Sequence, residues 1–233
     1  MKIGIIGAMK VEADKLAESM SGKKSEVVSG IEFVSGEIAG IKVVAAVSGV
    51  GKVFAALCAQ TMILRYGVEM MVNIGVAGTL TKGLGVLDVA IADSVLQHDM
   101  DTSAVGDPVG MVSGINIINI PADAAMSALL KKCVEKQGRR CMLGPIASGD
   151  RFIIGDEAKK AITDRFEAIA CEMEGAAIGQ TCYVNKVPFA VLRTISDGDG
   201  GGMEYEQFKP LAADISISAV LDFLKATPHN SGA

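Results

Sequence analysis

Short apolar runs alternate along this chain with segments whose apolar residues recur at helical spacing. "KIGIIGA" (2–8) is an apolar run ending at a glycine, and a mixed polar–apolar pattern follows from Lys10 to Met20, so it predicts strand, tight turn and helix. "IEFVSGEIAGIKVVAAVSG" (31–49) alternates on both sides of Ala39-Gly40 and predicts a hairpin. A helix is predicted from about Val53 to Tyr66, then strands at "MMVNIGVAG" (70–78) and "GVLDVAIADSV" (85–95). Residues 97–114, with Gly106, Pro108, Gly110 and Gly114, read as loop, and "INIINI" (115–120) as a short strand. Asp123 is placed to cap a helix reaching about Gln137, "CMLGPIASGD" (141–150) to form a strand and turn, and Asp156 to open another helix. "EAIACEME" (167–174) predicts a strand leading into a helix over 175–184, and "VPFAVLRTISD" (187–197) a buried strand. Phe208, Leu211, Ile215, Ala219 and Phe223 mark one face of a final helix.

Alternating strands and helices with an inserted hairpin predict one α/β domain over residues 1–225, a central twisted mixed sheet with helices on both faces. Residues 226–233 are read as a disordered tail. With 233 residues, half of them hydrophobic, a well-filled core fits within one domain. The 27 glycines suggest tight strand-to-helix turns and close backbone approach to a ligand. A net charge of −5 argues against a nucleic-acid surface. Five cysteines (Cys58, Cys133, Cys141, Cys171, Cys182) without a C-x-x-C predict reduced thiols and a cytoplasmic protein. With only His98 and His229 as histidines, no metal site is expected, and no cofactor. Ile3 to Met9 is too short, and runs too directly into Lys10, Glu12 and Asp14, to read as a secretory leader. Val53 to Leu64, interrupted by Gln60 and Thr61, is too short to span a bilayer.

In sheets of this kind ligands sit beyond the carboxyl ends of strands. There lie Met9 and Glu12, Ser48 to Val50, Gly75 to Gly78, Ser148 to Ile153, Glu172 to Glu174, and Arg193 to Asp197. "GIIGAM" lacks the G-x-G-x-x-G dinucleotide pattern, and no phosphate-cradling G-x-x-x-x-G-K-[ST] occurs. Acids at separate strand ends can divide labour, one protonated as general acid and another ionised to draw a proton from water. Cleavage of an N-glycosidic bond to a purine needs that division, because the base leaves protonated while the sugar becomes cationic. Plainer roles stay open for each residue. Glu12 suits the first turn of any helix, Asp197 an ordinary Asp-Gly turn, Glu172 and Glu174 a helix cap, and Phe152 a core. Arg193 in an apolar strand requires an anionic partner. The methionines read as core filling and His98 as loop polarity.

Seven motifs occur in order: "MKIGIIGAMKVEADKL", "SGVGKVFAA" (48–56), "NIGVAGTL" (73–80), "HDMD" (98–101), "ASGDRFI" (147–153), "CEMEGAAI" (171–178) and "LRTISDG" (192–198). Together they resemble the 5′-methylthioadenosine/S-adenosylhomocysteine nucleosidase family, within the purine nucleoside phosphorylase-like superfamily, over residues 1 to about 225. The resemblance implies hydrolysis of these nucleosides, and of 5′-deoxyadenosine, to adenine and a sugar, with a place in methionine salvage. It implies that Glu12 activates water with support from Arg193, that Asp197 protonates adenine N7 beside Ser196, and that Glu174 grips the ribose hydroxyls with the Met173 backbone. It gives no role to Glu172. Phe152 would stack on adenine, Ile153 would read the base edge, and Gly78 would line the site. Met9, Val50, Met173 and Tyr205 would line the pocket for the 5′-thio group. Val105 would reach the neighbouring subunit's pocket in a homodimer. Val76 stands where some relatives carry Ser, and Gly200 to Gly202 suggest a lid in a stretch that is shorter than in many relatives.

Alternatives to that reading are a phosphorylase on the same fold, a futalosine-type hydrolase, and a silent nucleoside binder. A phosphorylase holds a dianion, yet the early loops carry Glu12, Gly49, Lys52 and Val76, and a carboxylate beside phosphate is electrostatically adverse. A futalosine-type enzyme would need a basic residue for its substrate's bulky acid, and none stands out in the sequence. A binder has no use for a water-activating base.

Overall fold

The apolar runs become strands of one mixed sheet. The computed structural model describes residues 1–7, 10–197 and 202–228, without the side chains of 11–13 and 202–205. Met9, Gly200 and Gly201 therefore lie outside the described residues, as do the side chains of Glu12 and Tyr205 and most of the predicted tail.

The strands are β1 (Lys2–Gly7), β2 (Ser21–Val28), β3 (Ile31–Ile38), β4 (Ile41–Val47), β5 (Met70–Thr79), β6 (Val89–Gln97), β7 (Ile120–Pro121), β8 (Cys141–Ser148), β9 (Ala170–Glu172) and β10 (Phe189–Asp197). The helices are α1 (Lys10–Glu18), α2 (Lys52–Tyr66), α3 (Ala124–Lys136), α4 (Asp156–Phe166), α5 (Gly175–Asn185) and α6 (Gly202–Ala226). The sheet runs β10-β6-β8-β9-β5-β1-β4-β3-β2. Because β10 also pairs with β5, the strands β5, β10, β6, β8 and β9 close into a ring, a feature the alternation of elements does not reveal.

Period-two alternation sends side chains to two cores. Val72, Ile74, Ala190 and Leu192 face α1, α3 and α6, where Leu16, Leu130 and Phe223 are buried. Met71, Ala77, Val191 and Ile195 face α2 and α5, with Cys58, Met62, Ile178 and Cys182. A smaller cluster of Leu80, Ile153, Ile162 and Cys171 lies under α4. Every residue of β10 is buried, the apolar Phe189 to Leu192 and also the polar Arg193, Thr194, Ser196 and Asp197. Asp123 caps α3 as expected, accepting a hydrogen bond from the Met126 N–H at 2.9 Å.

Four expectations are corrected. Strand β2 went unpredicted because "SGKKSEVV" is polar and exposed on both faces, as suits an edge strand protected by lysines. The predicted strand over 115–120 is reduced to β7 and a single bridge between Val112 and Ile117, since Asn116 takes a left-handed φ of 57°. Strand β6 starts at Val89 rather than at Gly85, because Asp88 folds back to accept the Gly85 N–H. On α6, Leu211 is exposed although it shares the spacing of the buried Ile215 and Phe223.

Candidate active site

At the carboxyl ends of β5, β8, β9 and β10 lies a cleft lined among others by Val50, Gly78, Phe152, Met173, Glu174 and Asp197. The local fold of each lining segment follows from the sequence. Strand β10 carries Arg193 and Thr194 in register with Gly75 and Val76, and Ile195 with Ala77. Ser196 is then an extra residue, and the bulge brings Asp197 opposite Gly78. The Ser196 hydroxyl donates to Asp197 Oδ1 at 3.1 Å, the pairing expected from "TISD". Asp197 is only 2% exposed. A β-carbon on Gly78 would lie 3.0 Å from Asp197 Oδ2, so this glycine is what lets the carboxylate approach β5.

Across the cleft, β9 ends at Glu172 and α5 begins at Gly175, so the "CEMEGAAI" stretch turns from strand to helix between its two glutamates. Their roles separate. Glu172 Oε2 accepts the backbone N–H groups of Glu174 at 3.0 Å and Gly175 at 2.7 Å, which makes it the acid at the α5 N-terminus. Ser148 donates to Glu172 Oε1 and accepts from the Ala176 N–H at 2.7 Å. Arg193, 1% exposed, pairs with Glu172 through Nε at 3.2 Å and through Nη2. Its Nη2 also reaches Asn73 Oδ1, and Asn73 in turn donates to the Ile6 carbonyl at 2.8 Å. Glu174 points the other way. Its Oε1 accepts the Gly51 N–H at 2.9 Å, and its Oε2 stands 4.0 Å from Arg193. The anion that Arg193 demanded is therefore first Glu172 and only second Glu174.

A surface network fixes the cleft wall. Asp150 Oδ1 accepts the Lys52 N–H at 2.9 Å, and the Asp150 N–H donates to Asp99 Oδ2 at 2.9 Å. The Lys52 ammonium closes the ring on Asp99 Oδ1 at 2.6 Å. Burial pushes the Asp99 carboxyl up, but the hydrogen bonds from Lys52 and the Asp150 N–H outweigh it and hold the group below its ordinary range. The network pins Gly51, and hence Glu174, to the turn that carries Phe152 and Ile153.

The structure thus brings together Val50, Val76, Gly78, Phe152, Ile153, Met173, Glu174, Arg193, Ser196 and Asp197 in one cleft. Phe152 is exposed at the cleft rather than packed in a core, as a stacking platform must be. Val105 sits on a 3₁₀ turn (Ser103–Val105) outside its own chain's cleft, 82% exposed. Among the described residues Arg193 supports Glu172 and Asn73; whether it also supports Glu12 lies with a side chain that is not described. Sequence reasoning missed Asn73 and, although it placed Ser148 and Arg151 in a strand-end segment, gave neither a role. The first two carry a signal, since each is a polar residue at a buried strand position. Among the described residues no cluster of three or more His, Cys, Asp or Glu could hold a metal, and no helix is long and apolar enough to cross a membrane. Burial pushes the Cys171 thiol at the cleft wall up to about 12, so it stays protonated at neutral pH.

Chemically, the cleft sets a buried carboxyl beside an exposed aromatic face and a second carboxylate beyond it. Residues 2–225 match the family model described as the phosphorylase superfamily. The chain belongs to the phosphorylase superfamily. Within that superfamily it is 42% identical over 199 residues to the 5′-methylthioadenosine/S-adenosylhomocysteine nucleosidase of Shewanella denitrificans, covering 84% of this chain and 86% of that one. The nucleosidase of the same name from Neisseria meningitidis, solved in complex with methylthio-immucillin-A, superposes with a TM-score of 0.93 at 33% identity, over 97% of this chain and 99% of that one. The native structure of Helicobacter pylori futalosine hydrolase does so with a TM-score of 0.93 at 33% identity, over 97% and 98%. The two solved structures thus share the fold over nearly the whole of this chain.

Proposed function

We propose that this protein is an N-glycosidic hydrolase acting on 5′-methylthioadenosine and S-adenosylhomocysteine, and on 5′-deoxyadenosine, releasing adenine and the sugar. One observation carries the reading: Asp197 and Glu174, from separate elements, line one cleft with the Phe152 ring between exposed wall and solvent. Asp197 is the general acid at adenine N7, with Ser196 orienting it, and Phe152 and Ile153 hold the base. Proton donation there turns adenine into a leaving group. Glu174, steadied by the Gly51 N–H, grips the ribose hydroxyls and stabilises the cationic ring, and Met173 contributes its backbone. Glu12 draws the proton from the attacking water. Met9, Val50, Met173 and Tyr205 are assigned to the 5′ substituent, and Val76 to the neighbourhood of the ribose.

The protein acts as a cytoplasmic homodimer in methionine salvage, with the turn at Val105 completing the partner's site. An exposed apolar stripe of Val53, Leu57 and Leu64 along α2, beside Val184 on α5, supports that assembly. Asp197→Asn and Glu12→Gln are each expected to lower turnover about 10²–10⁴-fold with the melting temperature kept. Near-wild-type adenine release by Asp197→Asn would remove the acid from the mechanism.

Arg151 at the cleft favours a second reading, since it supplies a basic residue for an acidic 5′ group. Faster release from futalosine than from methylthioadenosine would select it.

A further inference from the structure

Glu172 is a buried, heavily engaged carboxylate of the cleft, and the reaction described above gives it no task. Its Oε2 takes Arg193 and the N–H groups of Glu174 and Gly175, and its Oε1 takes Ser148. Arg193 is almost fully buried between two carboxylates, bonded to Glu172 and 4.0 Å from Glu174. We propose that Glu172 is a positioning residue that absorbs the charge of Arg193, so that Glu174 keeps its carboxylate for the substrate sugar. This rests on the cleft being the nucleosidase site.

The physical reason is a competition. A buried guanidinium needs a counter-ion. With Glu172 neutral, the carboxylate nearest to Arg193 among the described side chains is Glu174, and Arg193 draws it away from the sugar and from the Gly51 N–H. An unbalanced cation would then also stand beside a ring that becomes cationic as the bond to adenine breaks, opposing the transition state more than the ground state. Glu172→Gln isolates this effect. The amide carbonyl can keep the Oε2 partners while the NH₂ donates to the Ser148 hydroxyl, which already accepts the Ala176 N–H and must turn its own proton to another acceptor, so the shape survives and the charge is lost.

The test uses the full-length protein. Glu172→Gln should lower kcat about 30-fold with KM changed less than about threefold, the order set by a unit charge at roughly 8 Å in a partly buried site. Affinity for a nucleoside analogue with a cationic sugar ring should fall by a similar factor, and affinity for a neutral analogue by less than about threefold. Adding Arg193→Met should recover at least fivefold of the lost preference for the cationic analogue, because both charges leave together. Equal losses for the two analogues, or a double variant no better than the single one, would make Glu172 a mere helix cap and overturn the proposal. If Glu172→Gln does not fold, Glu172→Met with Arg193→Met carries the test: it should keep the cationic preference within about threefold, and a loss beyond tenfold would refute the idea. Failure of the wild-type protein to release adenine would instead sink the nucleosidase reading, while the ratio of analogue affinities would still report on Glu172.

Discussion

Gly78→Ala puts the placement of Asp197 to a quantitative test. Gly78 lies opposite Asp197 in the register of β5 and β10, and a β-carbon there would stand 3.0 Å from Asp197 Oδ2. Its backbone is not in the left-handed region, so alanine adds bulk without φ strain. Ordinary contact begins near 3.4 Å, so the carboxyl must retreat by about 0.4 Å. If a 1 Å misplacement costs about 10²-fold, 0.4 Å costs about sixfold in kcat. Overpacking of this size destabilises by about 1–3 kcal/mol, or roughly 2–8 °C in melting temperature for a chain of this length. Initial rates of adenine release at saturating methylthioadenosine, alongside thermal melting, read both quantities. Gly85→Ala is the control, because its β-carbon would meet only Asp88 Oδ2 at 3.7 Å. A Gly78→Ala protein that melts lower yet turns over within twofold of wild type would refute the assignment of Asp197 as the proton donor.

Two further outcomes follow from the geometry. His98 packs against Gly149, its Nε2 makes no hydrogen bond among the described residues, and burial, opposed by Asp99 and helped by Lys52 and Arg151, lowers its pKa below 6.5, with Glu172 a weaker opposing charge. The unfolded chain therefore binds the proton first, so stability is intact above pH 6.5 and falls as the pH drops from there through the folded value; melting curves between pH 7.5 and 5 should show this slope, and His98→Gln should flatten it. Leu57→Asp sets a charge in the exposed α2 stripe; if the proposed homodimer uses that stripe, self-association is expected to weaken roughly a hundredfold or more, seen by sedimentation velocity as monomer where the wild type sediments as the proposed dimer; a variant that self-associates as the wild type does would move the interface elsewhere.

Much of this architecture is legible in the sequence because burial and periodicity agree. Strand β10 opens on the apolar run Phe189 to Leu192 and is buried at every position, and Asp123 caps the helix its side chain predicts. The edge strand β2 escapes because both of its faces meet solvent, so nothing forces an alternating pattern. The ring closed by β10 and β5 is a long-range pairing that no local pattern encodes. At the site, the order of motifs nominates the acids, but does not say which glutamate of "CEMEGAAI" holds Arg193. That depends on Arg193, which arrives from another strand and takes Glu172. Phe152 read alone favours core, and its exposure at the cleft shows that it is not core.

Incubation of the purified protein with methylthioadenosine in phosphate-free buffer, following both free adenine and the released sugar, tests the central claim most directly. Hydrolysis at this cleft predicts adenine and free 5-methylthioribose at a rate that added phosphate does not change. Adenine release that appears only with phosphate, accompanied by a sugar 1-phosphate, would contradict it.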